Sequence, residues 1–162
     1  MTTPDAGREP VIVPAGGGEL LDLGRSAPRI LLSGATSQGR LSVLETTQSP
    51  GGGPPLHVHG REDESFYVLD GRFTFTCGDE SWDGEPGSFA SLPAGRPHRY
   101  QAGEAGGRLL MLFSPSGMED YFREWAALVA SGAMTDPAMA ELAEHHGMRL
   151  LGNYPAAAPP GS

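Results

Sequence analysis

The sequence predicts an all-β domain followed by a short α-helical segment. Glycine (24 residues) and proline (15 residues) are abundant in the 162-residue chain, and this composition suits many short strands joined by tight turns. Apolar and polar residues follow strand-like patterns up to Pro115, after which the apolar spacing becomes helical. This length predicts one domain that can enclose a hydrophobic core without the help of disulfide bonds or a structural metal.

Several short runs in the first part of the chain have the pattern of strands. The candidates are residues 11–13, 19–23, 29–32 and 39–46, and the last of these alternates as a half-buried strand does. Residues 47–55 follow as a loop that is too rich in glycine and proline to pair inside a sheet. We expect this loop to deliver the next segment at a fixed angle.

The segment that begins at Glu64 predicts a hairpin. Asp70 and Gly71 form a two-residue turn signal between two runs rich in β-branched and aromatic residues. If Glu64 points inward, the strand period of two sends Phe66 and Val68 to the same face. Further strands are predicted around Trp82 and at residues 88–92, 98–102 and 108–114.

Helical spacing begins after Pro115. Ser116 and Glu119 match a capping box at the start of the first helix, and Gly132 ends it. The apolar face of this helix contains Tyr121, Phe122, Trp125, Leu128 and Val129. We favour packing of this aromatic stripe on the β domain over contact with a substrate.

A second helix is predicted with Asp136 as its N-cap and Gly147 at its end. His145 and His146 lie in its last turn, and Glu141 is four residues before His145. Positive side chains are favourable at a helix C-terminus without any metal, and adjacent helical positions diverge by about 100°. We therefore do not predict a second metal site here.

Composition excludes several classes of function. The formal net charge of −9 argues against nucleic acid as a partner. All 11 basic residues are arginine, so the chain has no lysine for Schiff-base chemistry. Cys77 is the single cysteine, which excludes an intrachain disulfide and a thiolate zinc site. The N-terminus has no basic region followed by an apolar core, and we expect a cytoplasmic protein without a signal peptide or membrane span.

The strongest chemical signal is a group of histidines and one carboxylate. His57 and His59 are one residue apart, so on a strand both imidazoles leave the same face. If residues 60–63 turn the chain back, Glu64 begins the neighbouring strand and meets them. His98, which follows a Pro-x-Gly turn, is the candidate for a fourth ligand. Three imidazoles and one carboxylate suit a divalent transition metal better than magnesium or calcium.

This pattern resembles the two signature motifs of the cupin superfamily. The first motif is glycine, five residues, His-x-His, three or four residues, glutamate, six residues and glycine, which Gly51, His57, His59, Glu64 and Gly71 match. The second is glycine, five residues, Pro-x-Gly, two residues, histidine, three residues and asparagine, which Gly87, Pro93, Gly95 and His98 match, with Ala102 in place of the asparagine.

The resemblance implies a cupin fold, the double-stranded β-helix or jelly-roll barrel, with one metal in its mouth. We expect residues 11–115 to form the barrel, 116–152 to form helices packed on it, and 1–10 and 153–162 to be flexible. Cupins also often pair their N-terminal strands with a second subunit, which implies a homodimer.

The segments FSPSGMEDYFREW and HHGMRLLG after the barrel are similar to those of quercetinase-like bacterial cupins. That resemblance implies a metal-dependent dioxygenase that cleaves a flavonol or a related enol-bearing aromatic. We expect Phe66, Tyr100 and Phe113 to contact a flat substrate in an apolar pocket. Glu64 is predicted to be both a metal ligand and the general base that accepts a proton from a substrate hydroxyl. Iron, manganese, nickel, cobalt, zinc and copper all accept this ligand set.

Two other functions fit the same residues. With the metal as a Lewis acid and Glu64 as proton carrier, the site could catalyse a non-oxidative cyclisation, isomerisation or dehydration in natural-product biosynthesis. A non-catalytic small-molecule-binding cupin is the second alternative, although binding alone does not require four metal ligands. Oxygen uptake in step with product formation distinguishes the dioxygenase from both.

Overall fold

The structure is a computed structural model that describes residues 9–152. Within this range the strands are β1 (Glu19–Leu20), β2 (Arg29–Leu32), β3 (Ser42–Gln48), β4 (His57–His59), β5 (Asp63–Cys77), β6 (Glu80–Gly84), β7 (Phe89–Leu92), β8 (His98–Ser114) and β9 (Met148–Leu150). The helices are α1 (Gly34–Ser37), α2 (Met118–Ala130) and α3 (Asp136–His145). The predicted flexible tail at 153–162 and most of the predicted flexible N-terminus lie outside the described residues.

Two long antiparallel strands, β5 and β8, build both layers of the sheet. Residues 63–71 of β5 pair with residues 107–114 of β8, and this half is extended by β3, β2 and β1 on one side and by β7 on the other. Residues 73–77 of β5 pair with residues 98–102 of β8, and this half is extended by β6 and by β4 with β9. The all-β class with short helices, as predicted, is therefore confirmed.

The two halves face each other across an aromatic core. Phe66 from the first half contacts Phe75 and Tyr100 from the second, with ring centroids 5.3 and 5.2 Å apart. These three side chains are buried, as are Val68, Phe73, Leu109, Met111 and Phe113. Period-two alternation along β5 explains why Glu64, Phe66 and Val68 are all buried while Tyr67 is exposed.

The predicted hairpin at Asp70-Gly71 is wrong, because β5 continues through both residues. The register between β5 and β8 shifts around Gly71, which has a φ of 76°. A Cβ at Gly71 would collide with the carbonyl oxygen of Gly106, so the two strands approach closely where both bend. The predicted strands 98–102 and 108–114 are correspondingly one strand, β8.

Other predicted boundaries also differ. Residues 11–13 form no strand, the predicted strand 19–23 contains only β1, and the predicted strand 39–46 lies at residues 42–48. The short helix α1 and the strand β9 were not predicted. None of the helices in the described range is long and apolar enough to cross a membrane.

The helix starts differ from the predicted caps as well. Gly117, and not Ser116, is the N-cap of α2. In α3 the hydroxyl of Thr135 caps the helix by accepting a hydrogen bond from the Ala138 amide at 3.2 Å, and Asp136 is the first helical residue. A Thr-Asp-Pro sequence offers two competing caps, and spacing alone does not decide between them.

Glu119 anchors α2 to the sheet. Its side chain is 3% exposed and accepts hydrogen bonds from the Gly34 amide (2.5 Å), the Gly117 amide (2.9 Å) and the Ser42 hydroxyl. Burial alone would raise the pKa of Glu119, but these donors outweigh burial and hold the pKa below its usual range. The carboxylate thus joins the start of α2 to α1 and β3.

Candidate metal centre

The structure brings His57, His59, Glu64 and His98 together at one point of the barrel. Their side chains are almost fully buried, and their potential ligand atoms all lie within 4.8 Å of one another. Glu64 Oε2 is 2.9 Å from His98 Nε2, 3.1 Å from His59 Nε2 and 3.5 Å from His57 Nε2. Three imidazole nitrogens therefore converge on one carboxylate oxygen.

Strand pairing explains this convergence. His57 and His59 are alternate residues of β4, so both point to the same side. His57 lies opposite His98 in the pairing of β4 with β8, and the His59 carbonyl accepts a hydrogen bond from the Gly95 amide at 2.8 Å. Glu64 is near the start of β5, directly after the turn that follows β4.

The hydrogen-bond partners of Nδ1 in His57 and His98 determine the tautomers of these two histidines. His57 Nδ1 lies 2.8 Å from the Pro55 carbonyl oxygen, and His98 Nδ1 lies 3.0 Å from the Arg96 carbonyl oxygen. A carbonyl can only accept, so each Nδ1 carries a proton. When such an imidazole is neutral, its lone pair is on Nε2, the nitrogen that faces the centre. This arrangement is the one that a metal-binding imidazole requires.

The cluster brings imidazoles and a carboxylate, groups of opposite charge when ionised, together in the protein interior. Burial lowers the pKa of His57. Burial would also lower the pKa of His59, but the carboxylates of Glu62 and Glu64 raise it to about 9. For Glu64, burial favours the neutral acid, yet hydrogen bonds from the three imidazoles hold its pKa well below the usual range. Glu64 is therefore ionised, and a cation at the centre would be favoured.

These residues fit a divalent transition metal. The donor set consists of three neutral nitrogen ligands and one anionic oxygen, all converging on one point, and zinc, iron, copper and nickel all accept such donors. The four ligands come from three strands whose positions are fixed by backbone pairing. A tetrahedral metal would be saturated by this set, whereas a five- or six-coordinate metal would keep one or two positions for substrate.

An apolar cavity of about 130 Å³ opens above the cluster. His57, His59 and Glu64 lie in its lining together with Tyr100 and Phe113. The side chain of Phe66 lies behind this lining, in contact with Tyr100. Of the three aromatic residues predicted for substrate contact, the structure thus places Tyr100 and Phe113 at the cavity and Phe66 in the core beneath it.

One face of α2 forms a wall of the cavity. The lining residues at helical spacing are Met118, Tyr121, Phe122 and Trp125. These side chains combine the packing role predicted for the aromatic stripe with a second role in lining the cavity. The amide of Gln48, which also lines the cavity, donates to the Tyr100 hydroxyl at 3.0 Å. Nothing in the sequence pattern around Gln48 indicates this contact.

His145 and His146 lie apart from the cluster. His146 Nε2 is 3.1 Å from Glu124 Oε1, and the three ligand-type side chains of Glu124, His145 and His146 are neighbours at the junction of α2 and α3. The neighbouring carboxylate is Glu124 of α2, whereas sequence spacing had suggested Glu141. The contact between His146 and Glu124 links the two helices.

Comparison with known proteins agrees with the architecture. Residues 44–113 match the family model described as the cupin domain. The barrel of this chain has the cupin fold. Its two sheet halves and short helices match the predicted cupin fold, and the matched residues include the whole cluster.

Similar proteins include both a curated enzyme and solved cupin structures. Quercetin 2,3-dioxygenase of Bacillus subtilis (strain 168) is 30% identical over 92 residues, which cover 57% of this chain and 27% of that protein. The chain thus spans well under half the length of that relative. KdgF from a Halomonas species has a TM-score of 0.56 at 22% identity, covering 62% of this chain and 91% of that one. An RmlC-like cupin from Shewanella frigidimarina has a TM-score of 0.55 at 21% identity, covering 64% and 88%. These two likenesses show the shared fold.

Proposed function

We propose that this cupin is a metal-dependent dioxygenase that acts on a flat, enol-bearing aromatic molecule of the flavonol or polyketide type. The observation that carries the proposal is the buried cluster of three histidines and one glutamate at the base of an aromatic cavity. The 30% identity to a quercetin 2,3-dioxygenase supports the reaction class. In this proposal His57, His59, Glu64 and His98 hold one divalent transition metal.

A bound metal would supply a Lewis acid with room for a substrate oxygen. The protein supplies the proton acceptor, since Glu64 is ionised and lies in the cavity lining. A carboxylate that releases its ligand position can accept a proton from a substrate hydroxyl, while an imidazole that stays bound has no free lone pair. Glu64 is thus proposed as both ligand and general base.

The cavity walls support the choice of an aromatic substrate. Phe113 and the α2 residues Tyr121, Phe122 and Trp125 offer ring faces and edges against which a flat molecule can stack. The Gln48 and Tyr100 pair brings polar atoms to the same cavity, and these could orient a hydroxyl or carbonyl of the substrate.

Metal analysis followed by an oxygen-uptake screen tests the proposal. We expect about one transition-metal ion per chain after gentle purification, and oxygen consumption in step with product for at least one flavonol or aromatic polyketide. His98→Ala should lose the metal and the activity, whereas His145→Ala, in the other histidine group, should keep both. Full turnover without oxygen would replace the dioxygenase with the non-oxidative cyclase or isomerase. Absence of bound metal would contradict both.

The homodimer and the cytoplasmic location stay predictions, and light scattering tests the first of them.

A further inference from the structure

The three cluster histidines differ in what their outer nitrogens face. His57 Nδ1 and His98 Nδ1 each face a backbone carbonyl at hydrogen-bond distance. His59 Nδ1 instead lies 3.7 Å from Glu62 Oε2. Both atoms are buried and have no hydrogen-bond partner among the described residues. A buried donor and a buried acceptor that face each other across this gap need an explanation.

Glu62 is held in place by its other oxygen. The residue is 2% exposed although it lies in the short turn between β4 and β5. Its Oε1 accepts a hydrogen bond from Arg61 Nε at 2.9 Å, and Arg61 Nη2 donates to the Ser116 carbonyl at 2.8 Å. The guanidinium thus ties one oxygen of Glu62 to the residue that precedes the N-cap of α2, and the other oxygen remains directed at His59.

We propose that Glu62 is a positioning residue that fixes the tautomer and orientation of His59 for metal binding. This inference rests on the proposed metal site. A neutral imidazole that binds a metal through Nε2 must carry its proton on Nδ1, and that buried N–H then needs an acceptor. Glu62 Oε2 is placed to be that acceptor. At 3.7 Å the contact is longer than a hydrogen bond, so the proposal requires the two atoms to move closer when the site is loaded.

The same contacts join the metal centre to the cavity wall. The sequence of contacts runs from His59 through Glu62 and Arg61 to the Ser116 carbonyl, directly before the helix that carries the aromatic wall. A Cβ at Gly117 would approach Arg61 Nη2 to 2.7 Å, so the glycine leaves room for the guanidinium. Orientation of His59 is thereby linked to the position of the start of α2.

Zinc affinity, measured by competition with a chelator, tests the proposal. Glu62→Gln keeps the shape of the side chain but has one acceptor oxygen, which can serve either Arg61 or His59 and not both. We expect it to bind zinc about 10- to 100-fold more weakly than the wild type. Glu141→Gln, an exposed glutamate on α3, is the matched control and should bind zinc as the wild type does.

A second measurement determines the tautomer of His59 in the wild type and compares proton exchange between the wild type and Glu62→Gln. Long-range ¹H–¹⁵N spectra of the zinc-loaded wild type report which ring nitrogen of each histidine carries the proton. We expect His59 to be protonated at Nδ1, with that proton protected from exchange in the wild type and less protected in Glu62→Gln. A merely structural role of Glu62 would lower thermal stability without changing the exchange of this proton.

The outcomes separate the two proposals. Equal zinc affinity in Glu62→Gln and wild type, or a His59 that is protonated at Nε2, would overturn the positioning role and leave the proposed dioxygenase untouched. A wild-type protein that binds zinc as predicted but consumes no oxygen with any metal would overturn the dioxygenase and leave the role of Glu62 standing. If Glu62→Gln does not fold, the His59 Nδ1 proton of the zinc-loaded wild type decides. Slow exchange with the low-field shift of a hydrogen bond to a carboxylate supports the positioning role, and the absence of that shift overturns it.

Discussion

Two glutamates, Glu64 and Glu119, are buried to a similar extent but have different roles. They are 4% and 3% exposed, and both have pKa values below the usual range because hydrogen bonds outweigh the effect of burial. Glu119 receives its hydrogen bonds from two backbone amides and a serine hydroxyl. Glu64 is surrounded by three imidazoles.

The identity of the donors decides the role of the carboxylate. Backbone amides cannot leave or change their charge, so the donors around Glu119 make a fixed structural junction. Imidazoles can exchange a proton for a metal ion, so the donors around Glu64 are themselves potential ligands. A buried ionised glutamate is therefore evidence for a functional site only when its hydrogen-bond partners can also bind a metal ion or a ligand.

The largest effect is expected at Glu64. Glu64→Gln should lower turnover by about 10²- to 10⁴-fold, because general-base catalysis contributes on this scale, while the three histidines retain much of the metal. Oxygen-uptake kinetics and metal analysis on the same preparation measure both effects. Full activity in this variant would rule out Glu64 as the base.

At Glu119 we expect a large effect on stability and no effect on metal binding or turnover. Glu119→Gln removes the charge that accepts three hydrogen bonds and should lower the free energy of unfolding by about 2 kcal/mol. Metal content and turnover per folded molecule should stay as in the wild type. Urea unfolding measures the difference, and Glu141→Gln, on the exposed face of α3, should change it by less than about 0.5 kcal/mol. A stable but inactive Glu119→Gln protein would break the distinction between the two glutamates.

The contribution of Glu119 should also depend on pH in a defined direction. Its pKa is lowered from 4.5 in the folded protein, so its stabilising effect is complete above pH 4.5 and is lost as the pH falls through the lowered value. The difference in unfolding free energy between wild type and Glu119→Gln should therefore shrink on acidification. Unfolding curves of both proteins at several pH values below 5 measure this difference. A gap that widens towards low pH would mean that the sign of the shift is wrong.

A smaller effect is expected in the wall of the cavity. Phe122→Ala removes one ring that lines the cavity without touching either glutamate, so it should raise KM by about two- to tenfold and leave metal content unchanged. Val129→Ala, on the same helix but away from the cavity, is the control. An unchanged KM in Phe122→Ala would indicate that the aromatic stripe packs the helix on the barrel and does not contact the substrate.

Local sequence patterns were sufficient to predict the cluster but not the sheet around it. His57, His59 and Glu64 lie within one turn and two strand ends, so alternation and spacing predict their meeting, and the turn signal before His98 supplies the fourth residue. The Asp70-Gly71 signal failed because a two-residue turn and a bend in a continuous strand share the same residues. Only the distant pairing of β5 with β8 distinguishes the two.

Contacts that depend on a distant partner were missed for the same reason. Glu62 has no recognisable spacing relative to a ligand histidine, and its role becomes visible only when Arg61 is seen to reach the Ser116 carbonyl. Glu119 was expected to cap its own helix, and it does accept from the Gly117 amide, but its bonds to Gly34 and Ser42 come from residues far away in the chain.

The strand β9 has a consequence for how the centre is made during translation. Its residues pair with all three residues of β4, with Leu150 opposite His57 and Met148 opposite His59. The strand that carries two of the four cluster residues therefore gains its outer neighbour only after residue 150 has left the ribosome. A nascent chain that still lacks this segment would present His57 and His59 on an open sheet edge, so β4 gains its outer neighbour only after β9 has been made.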